Sequence, residues 1–107
     1  MDPMLYHRRV DECLARVAEW LEDFDPDELD YSTTDGVVSL HFADGARYVL
    51  NRQSAASQMW FAAGAKAWHY SWDEDLGQWL DDRDRHELFA NLVRVVEAKL
   101  GRKVNAP

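Results

Sequence analysis

The sequence predicts an α+β fold: a two-layer α/β sandwich in which an antiparallel sheet of five or six strands carries an N-terminal and a C-terminal helix on one face. Three observations predict it. Apolar residues recur at helical spacing near both ends of the 107-residue chain. The middle alternates apolar and polar residues over several short runs, the pattern of half-buried strands. Those runs lie only a few residues apart, whereas parallel crossovers need a dozen or more residues each. Two apolar helix stripes then bury against one sheet face and leave the other in water.

Residues 4–24 read as the first helix, with Val10, Cys13, Leu14, Val17, Leu21 and Phe24 on one stripe at i, i+3, i+4, i+7 spacing. Pro26 stops it, because the residue before a proline is pushed out of the α region. A short strand follows near Leu29–Thr34, then Val37–Phe42 and a return over Ala46–Asn51, with Asp44-Gly45 as the hairpin turn. A two-residue turn would set Leu40 beside Val49 and waste half the core face. A three-residue loop with Gly45 as a bulge aligns Leu40 with Tyr48 and Val38 with Leu50, and turns Arg47 and Asn51 outward. Further strands are expected at Gln58–Ala62, Ala67–Trp72 and Gln78–Leu80. The last helix carries Leu88, Phe89, Leu92, Val95 and Val96, with Leu100 near the edge. Asp84-x-x-Glu87 reads as its capping box, Asp84 being the N-cap, and Gly101 as its stop.

The length and the 47% hydrophobic content fit a single domain spanning 1–107. No apolar run approaches the ~20 residues of a membrane span, no signal segment opens the chain, and the single cysteine, Cys13, suits a reducing compartment. A cytoplasmic protein with no membrane partner is expected. Residues 1–35 hold eleven acids and three bases, whereas residues 36–107 hold nine of each, so the net charge of −8 lies wholly in the first third. Such a lobe repels nucleic acid and attracts cations or a basic protein.

On the first helix Glu12, Glu19 and Asp23 fall together opposite the stripe, with Asp11 and Glu22 at the margin, and Asp25, Asp27, Glu28 and Asp30 prolong the ridge. Nothing basic follows Arg16 until Arg47, although like charges at i, i+3 and i+4 cost a few tenths of a kcal/mol per pair. A solvated helix face and a functional cation surface are about equally good readings of it. All-oxygen ligation on a mobile ridge suits hard cations at modest affinity, iron, manganese, calcium and lanthanides alike. His7 stands about one turn before Asp11 and can join such a site.

Classes of chemistry fall away for want of parts. There is no phosphate loop, CxxC, HExxH or nucleophile elbow, and a convex ridge has no pocket in which one carboxyl of a glycosidase pair could be tuned. Cys13, on the buried stripe, is an inert core thiol. His41 and His69 read as ordinary strand residues, and His86 as a solvated residue in the first turn of the last helix. Trp60 alternates with Met59 and Phe61, and all three cannot face inward. With Met59 and Phe61 in the core, Gln58 and Trp60 join Asn51 and Gln53 on the open face, where a tryptophan flanked by amides and Arg52 has the composition of an interface hot spot.

Asn51-Arg52-Gln53-x-x-x-x-Gln58-x-Trp60-Phe61, followed by Trp68-His69-Tyr70 and Trp79, resembles the frataxin family in its bacterial form, and so do the acidic first helix with Tyr6-His7-Arg8, the Asp44-Gly45 hairpin and the closing helix. Ala55 stands where the family carries proline, Phe61 where leucine is usual, and Lys66-Ala67 where a glycine pair is common. The resemblance implies a non-enzymatic regulator or adaptor of iron–sulfur cluster assembly that binds Fe²⁺ and Fe³⁺ weakly on the ridge and docks on a cysteine desulfurase and scaffold protein. It makes Glu19, Glu22, Asp23 and Asp25 the best iron candidates, with Asp11, Glu12 and His7 behind them. Asn51, Gln53 and Trp60 become the partner interface, with Arg52 and Gln58 beside them. A monomer, or an oligomer formed with iron, fits this role. The rival is an acidic interaction module whose metal binding is incidental. Ferroxidase chemistry lacks a closed di-iron site.

Overall fold

The computed structural model describes all 107 residues. Helix α1 (Pro3–Leu21) leads into six strands, β1 (Leu29–Thr34), β2 (Val37–Phe42), β3 (Arg47–Gln53), β4 (Gln58–Ala63), β5 (Lys66–Asp73) and β6 (Gln78–Asp81), and helix α2 (Leu88–Leu100) closes the chain. The strands form one antiparallel sheet in chain order, each paired with its sequence neighbour. Both helices contribute to one core on one sheet face: Val10, Cys13 and Val17 of α1 and Leu88, Leu92 and Val96 of α2 meet Leu40, Leu50, Met59, Phe61, Tyr70 and Trp79 of the strands. Fully burying a side chain the size of Met59 or Phe61 contributes about 1.5–3 kcal/mol. The expected sandwich is therefore what the chain forms, with six strands.

The β2–β3 hairpin takes the three-residue loop. Phe42 and Ala46 close it, with the Phe42 N–H donating to the Ala46 carbonyl at 2.9 Å, and Gly45 sits at φ +89°, a conformation open to glycine. Leu40 pairs with Tyr48 and Val38 with Leu50, as the alternation required. Gly36 is likewise left-handed, at φ +74°, and an added Cβ there would stand 2.8 Å from the Arg52 guanidinium carbon.

Both helices differ from expectation at an end. Helix α1 stops at Leu21, three residues early, because Asp23 and Phe24 bond back to Trp20 and Leu21 and tighten the chain into a 3₁₀ turn. Glu22 is its C-cap, and Asp23 and Asp25 lie beyond it. Trp20 is buried, its indole N–H donating to the Asn105 carbonyl at 2.6 Å. In α2 the N-cap is Glu87, whose carboxylate accepts from the Phe89 and Ala90 N–H groups at 2.7 and 3.0 Å. Asp84 instead caps the preceding turn. The buried Asp81 carboxylate holds the Arg83 and Asp84 N–H groups, Arg85 turns left-handed at φ 62°, and the Asp84 side chain accepts from the His86 N–H at 3.0 Å. Gly101 ends α2 at φ 73° with its N–H on the Glu97 carbonyl.

Candidate functional site

Two surfaces gather the residues singled out by the sequence. The first is the acidic flank. Asp11, Glu12, Glu19, Glu22, Asp23, Asp25 and His7 are all exposed along α1 and the turn that follows it. Their surroundings differ. Glu12 is paired with Arg9 at 3.0 Å. Glu22 accepts the Tyr31 hydroxyl of β1, and that bond is the chief cause that raises the phenol's pKa. Asp25 accepts the Asp27 N–H at 2.9 Å. Asp11, Glu19 and Asp23 enter none of the chain's ion pairs. No three of these residues converge within 4.8 Å. The donor set is oxygen-rich, open to water and spread along a convex surface, which suits a hard cation completing its shell with water rather than a closed cage.

The second surface is the open sheet face. Antiparallel pairing sets Asn51 opposite Trp60 and Gln53 opposite Gln58, so these four share one face. Trp60 is half-buried there, stacked on the exposed His69 with centroids 4.2 Å apart and planes 14° from parallel. Its indole N–H donates to Gln58 Oε1 at 2.9 Å, and Gln58 Nε2 donates to Ser71 Oγ at 3.1 Å and to Asp82 Oδ2 at 2.5 Å. Ser71 in turn donates to Asp82 at 2.8 Å. The tryptophan is thus fixed by stacking on one side and a polar chain on the other, with its remaining ring area free.

Arg52 does not belong to this face. It pairs with Met59, hence points to the helix side, where it reaches Asp35 at 3.1 Å. That bond is the main reason its guanidinium holds its proton more firmly than usual. The signal was available: Arg52 has the opposite parity to Asn51 and Gln53 in a strand of period two.

Sequence reasoning also missed a polar group between the sheet and α2. Asn91 is buried at 4% exposure and accepts the Arg94 guanidinium on Oδ1 at 2.6 Å, so its Nδ2 donates to the Tyr70 hydroxyl at 2.9 Å. Tyr70 therefore has its proton for His86 Nε2 at 2.7 Å, and His86 Nδ1 meets Asp84 at 2.5 Å. Burial pushes the Tyr70 pKa upward, as it does for the Cys13 thiol, raised to about 12. Asp81, Asp84 and His86 are the one trio of acid and imidazole groups that converges. His86 is accordingly a bonded, half-buried residue ahead of the helix, not a solvated one within it.

A family model for the frataxin-like domain matches residues 1–102. The iron-sulfur cluster assembly protein CyaY of Thioalkalivibrio sulfidiphilus is 35% identical over 105 residues, covering 97% of this chain and 98% of the relative. Among solved structures, a frataxin from Psychromonas ingrahamii superimposes with a TM-score of 0.86 at 23% identity over 98% of this chain and 97% of its own. A trimeric frataxin from Saccharomyces cerevisiae in a ferrous complex gives 0.76 at 24% identity over 88% and 87%. By sequence signature, by family model and by the order of its helices and strands, the chain belongs to the frataxin family.

Proposed function

We propose that this protein is a non-catalytic iron-binding adaptor of iron–sulfur cluster assembly, carrying iron as cargo on the acidic flank and docking through the Trp60 face. The observation that carries the proposal is the concentration of the whole net charge of −8 in residues 1–35 of a frataxin-family chain whose 35%-identical relative is an iron-sulfur cluster assembly protein. Glu19, Asp23 and Asp11 are the first iron ligands on this reading. They are exposed and uncommitted, whereas Glu12 and Glu22 must first release Arg9 and Tyr31. Asp25 and His7 complete the series at its two ends. Asn51, Gln53, Gln58 and Trp60 form the docking surface for a cysteine desulfurase and its scaffold. Arg52 supports the β1–β2 turn through Asp35 instead. The protein works in the cytoplasm as a monomer that iron can assemble further.

The test is an anaerobic Fe²⁺ titration followed by amide NMR. Signals of Glu19, Asp23 and Asp11 are expected to broaden first. The E19Q/E22Q/D23N variant should lose that response while keeping its fold. Broadening centred elsewhere would remove the flank as the iron surface.

One observation favours the rival reading, an interaction module with incidental metal: the flank has no converging trio of ligands. Desulfurase binding measured with and without chelator separates the two. Binding and cluster-forming effect that persist unchanged in chelator sink the iron role and leave the docking role.

A further inference from the structure

A groove of about 360 Å³ lies where α1, the β5–β6 hairpin and the start of α2 meet, walled by Arg9, Cys13 and Arg16 on one side and by Trp72, Trp79 and Phe89 on the other. Its volume falls within the range of small-ligand sites. It uses none of the open-face residues, and of the acidic series only Glu12 borders it.

Across the chain two buried side-chain polar atoms lack a hydrogen-bond partner, Arg9 Nε and Trp79 Nε1, and both residues belong to this wall. Trp79 is only 2% exposed. A buried donor left unpaired is costly, and two in one wall form a specific demand. Both are donors, so the demand is for acceptors. The wall's own carboxylates do not meet it: Glu12 is held by the Arg9 terminal nitrogen at 3.0 Å, and Glu87 caps α2. Arg16 gives one hydrogen bond, to the Pro107 carbonyl at 2.9 Å, and otherwise offers its guanidinium from above the Phe89 ring at 4.2 Å. Arg9 lies likewise 5.1 Å from the centre of Trp72.

Charge narrows the ligand further. Arg9, Arg16, Glu12 and Glu87 sum to zero, a neutral spot on a chain of net −8. A polyanion would meet the remaining field unfavourably, while a single negative charge can be matched by the free guanidinium nitrogens. The rest of the wall is aromatic, with a thiol that burial keeps uncharged. We infer that this groove binds a small monocarboxylate with a planar apolar body. Its carboxylate meets the exposed guanidinium of Arg16 directly and draws the closed Arg9 Nε and Trp79 Nε1 donors toward it by a small turn of those side chains, and its body lies against Trp72 and Phe89. Arginine suits this task because its fork matches a carboxylate's two oxygens.

Nitrogen-15 NMR of the intact chain, titrated with phenylacetate, tests it. The Trp79 indole and Arg9 Nε–H signals are expected to move together and to saturate. Phenylacetamide, with the same body and no charge, should bind at least about tenfold more weakly, the scale of one charge-assisted hydrogen bond. Inorganic phosphate should produce no saturable movement. Arg16→Gln, at an exposed position, should fold normally and weaken phenylacetate by about the same factor, and Trp79→Phe should remove one reporter and weaken binding while keeping a ring. Arg16→Gln decides the matter if Trp79→Phe does not fold. The inference is overturned if the two signals do not saturate, if the amide binds as well as the acid, or if Arg16→Gln leaves the titration unchanged.

Discussion

The half-buried Trp60 and the exposed acids of α1 both reach the surface of one small protein, yet they are prepared for contact in opposite ways. Trp60 is placed in advance by its stack on His69 and by the Gln58–Ser71–Asp82 chain. Glu19 and Asp23 enter no ion pair; Glu19 lies in the last turn of α1 and Asp23 in the 3₁₀ turn just beyond it. A preorganised aromatic platform gives short-range, shape-dependent affinity, because little ordering remains to be done on binding. A field of unpaired carboxylates gives long-range attraction that tolerates many geometries and fades with salt. On the proposed function, recognition and attraction thus fall to different faces.

The largest effect that can break this division is on partner affinity. Trp60→Ala is expected to cost about 2 kcal/mol or more in binding to the desulfurase–scaffold complex at any ionic strength. E19Q/E22Q/D23N should chiefly slow association, with the deficit vanishing at high salt. Titrations at two salt concentrations check this, and equal salt-independent losses for both variants would abolish the distinction. Next in size, Gln58→Leu removes the polar chain but not the ring. It should lower stability by roughly 1 kcal/mol in urea unfolding and weaken docking less than Trp60→Ala does.

Acid stability sharpens the comparison from the other side. Asp44, Glu28 and Asp73 have pKa values held below the ordinary range, the first two chiefly by bonds from Lys99 and Arg102, the third by the Leu76 N–H and then Arg85. Depressed carboxyl groups stabilise the fold fully above their unfolded values, 4.5 for Glu and 3.8 for Asp, and that stability is lost as pH falls through the lower folded values. The urea midpoint should therefore hold down to about pH 5 and drop below the unfolded values, and Lys99→Met should blunt the drop. The smallest effect belongs to the flank itself. Neutralising Glu19, Glu22 and Asp23 should raise Tm by a few degrees at low salt, since each relieved like-charge pair is worth a few tenths of a kcal/mol. A Tm indifferent to salt and to these substitutions would mean that the flank carries no repulsion.

Strands β2 and β4 were legible because each alternates with one face buried, and the Asp44-Gly45 loop length then followed from which register wastes no core face. The platform was legible for the same reason, since Met59 and Phe61 fix where Trp60 points. What escaped was set by partners distant in sequence. Asn91 sits on the apolar stripe of α2 and is tolerable there only because Tyr70, 21 residues away, takes its amide proton. The N-cap moved from Asp84 to Glu87 because the buried Asp81 carboxylate claims the Arg83 and Asp84 N–H groups, and Asp81 lies on a strand whose burial no local pattern reveals. Arg9 and Arg16 look like stray bases beside an acidic ridge; Trp72 and Phe89, far along the chain, make them part of a wall.

The sheet order has a kinetic consequence. Since each strand pairs with the one before it, the sheet can grow hairpin by hairpin without waiting for a remote segment, a topology of low contact order. Helix α1 packs against β1 and β2, while α2 packs against β6. The N-terminal portion of the core can therefore close during synthesis while the last helix is still unmade. We predict rapid early protection of amides in β1–β3 and later protection in β6 and α2. Pulse-labelled hydrogen exchange reads that order directly, and simultaneous protection of all six strands would mean that the molecule folds from both ends at once.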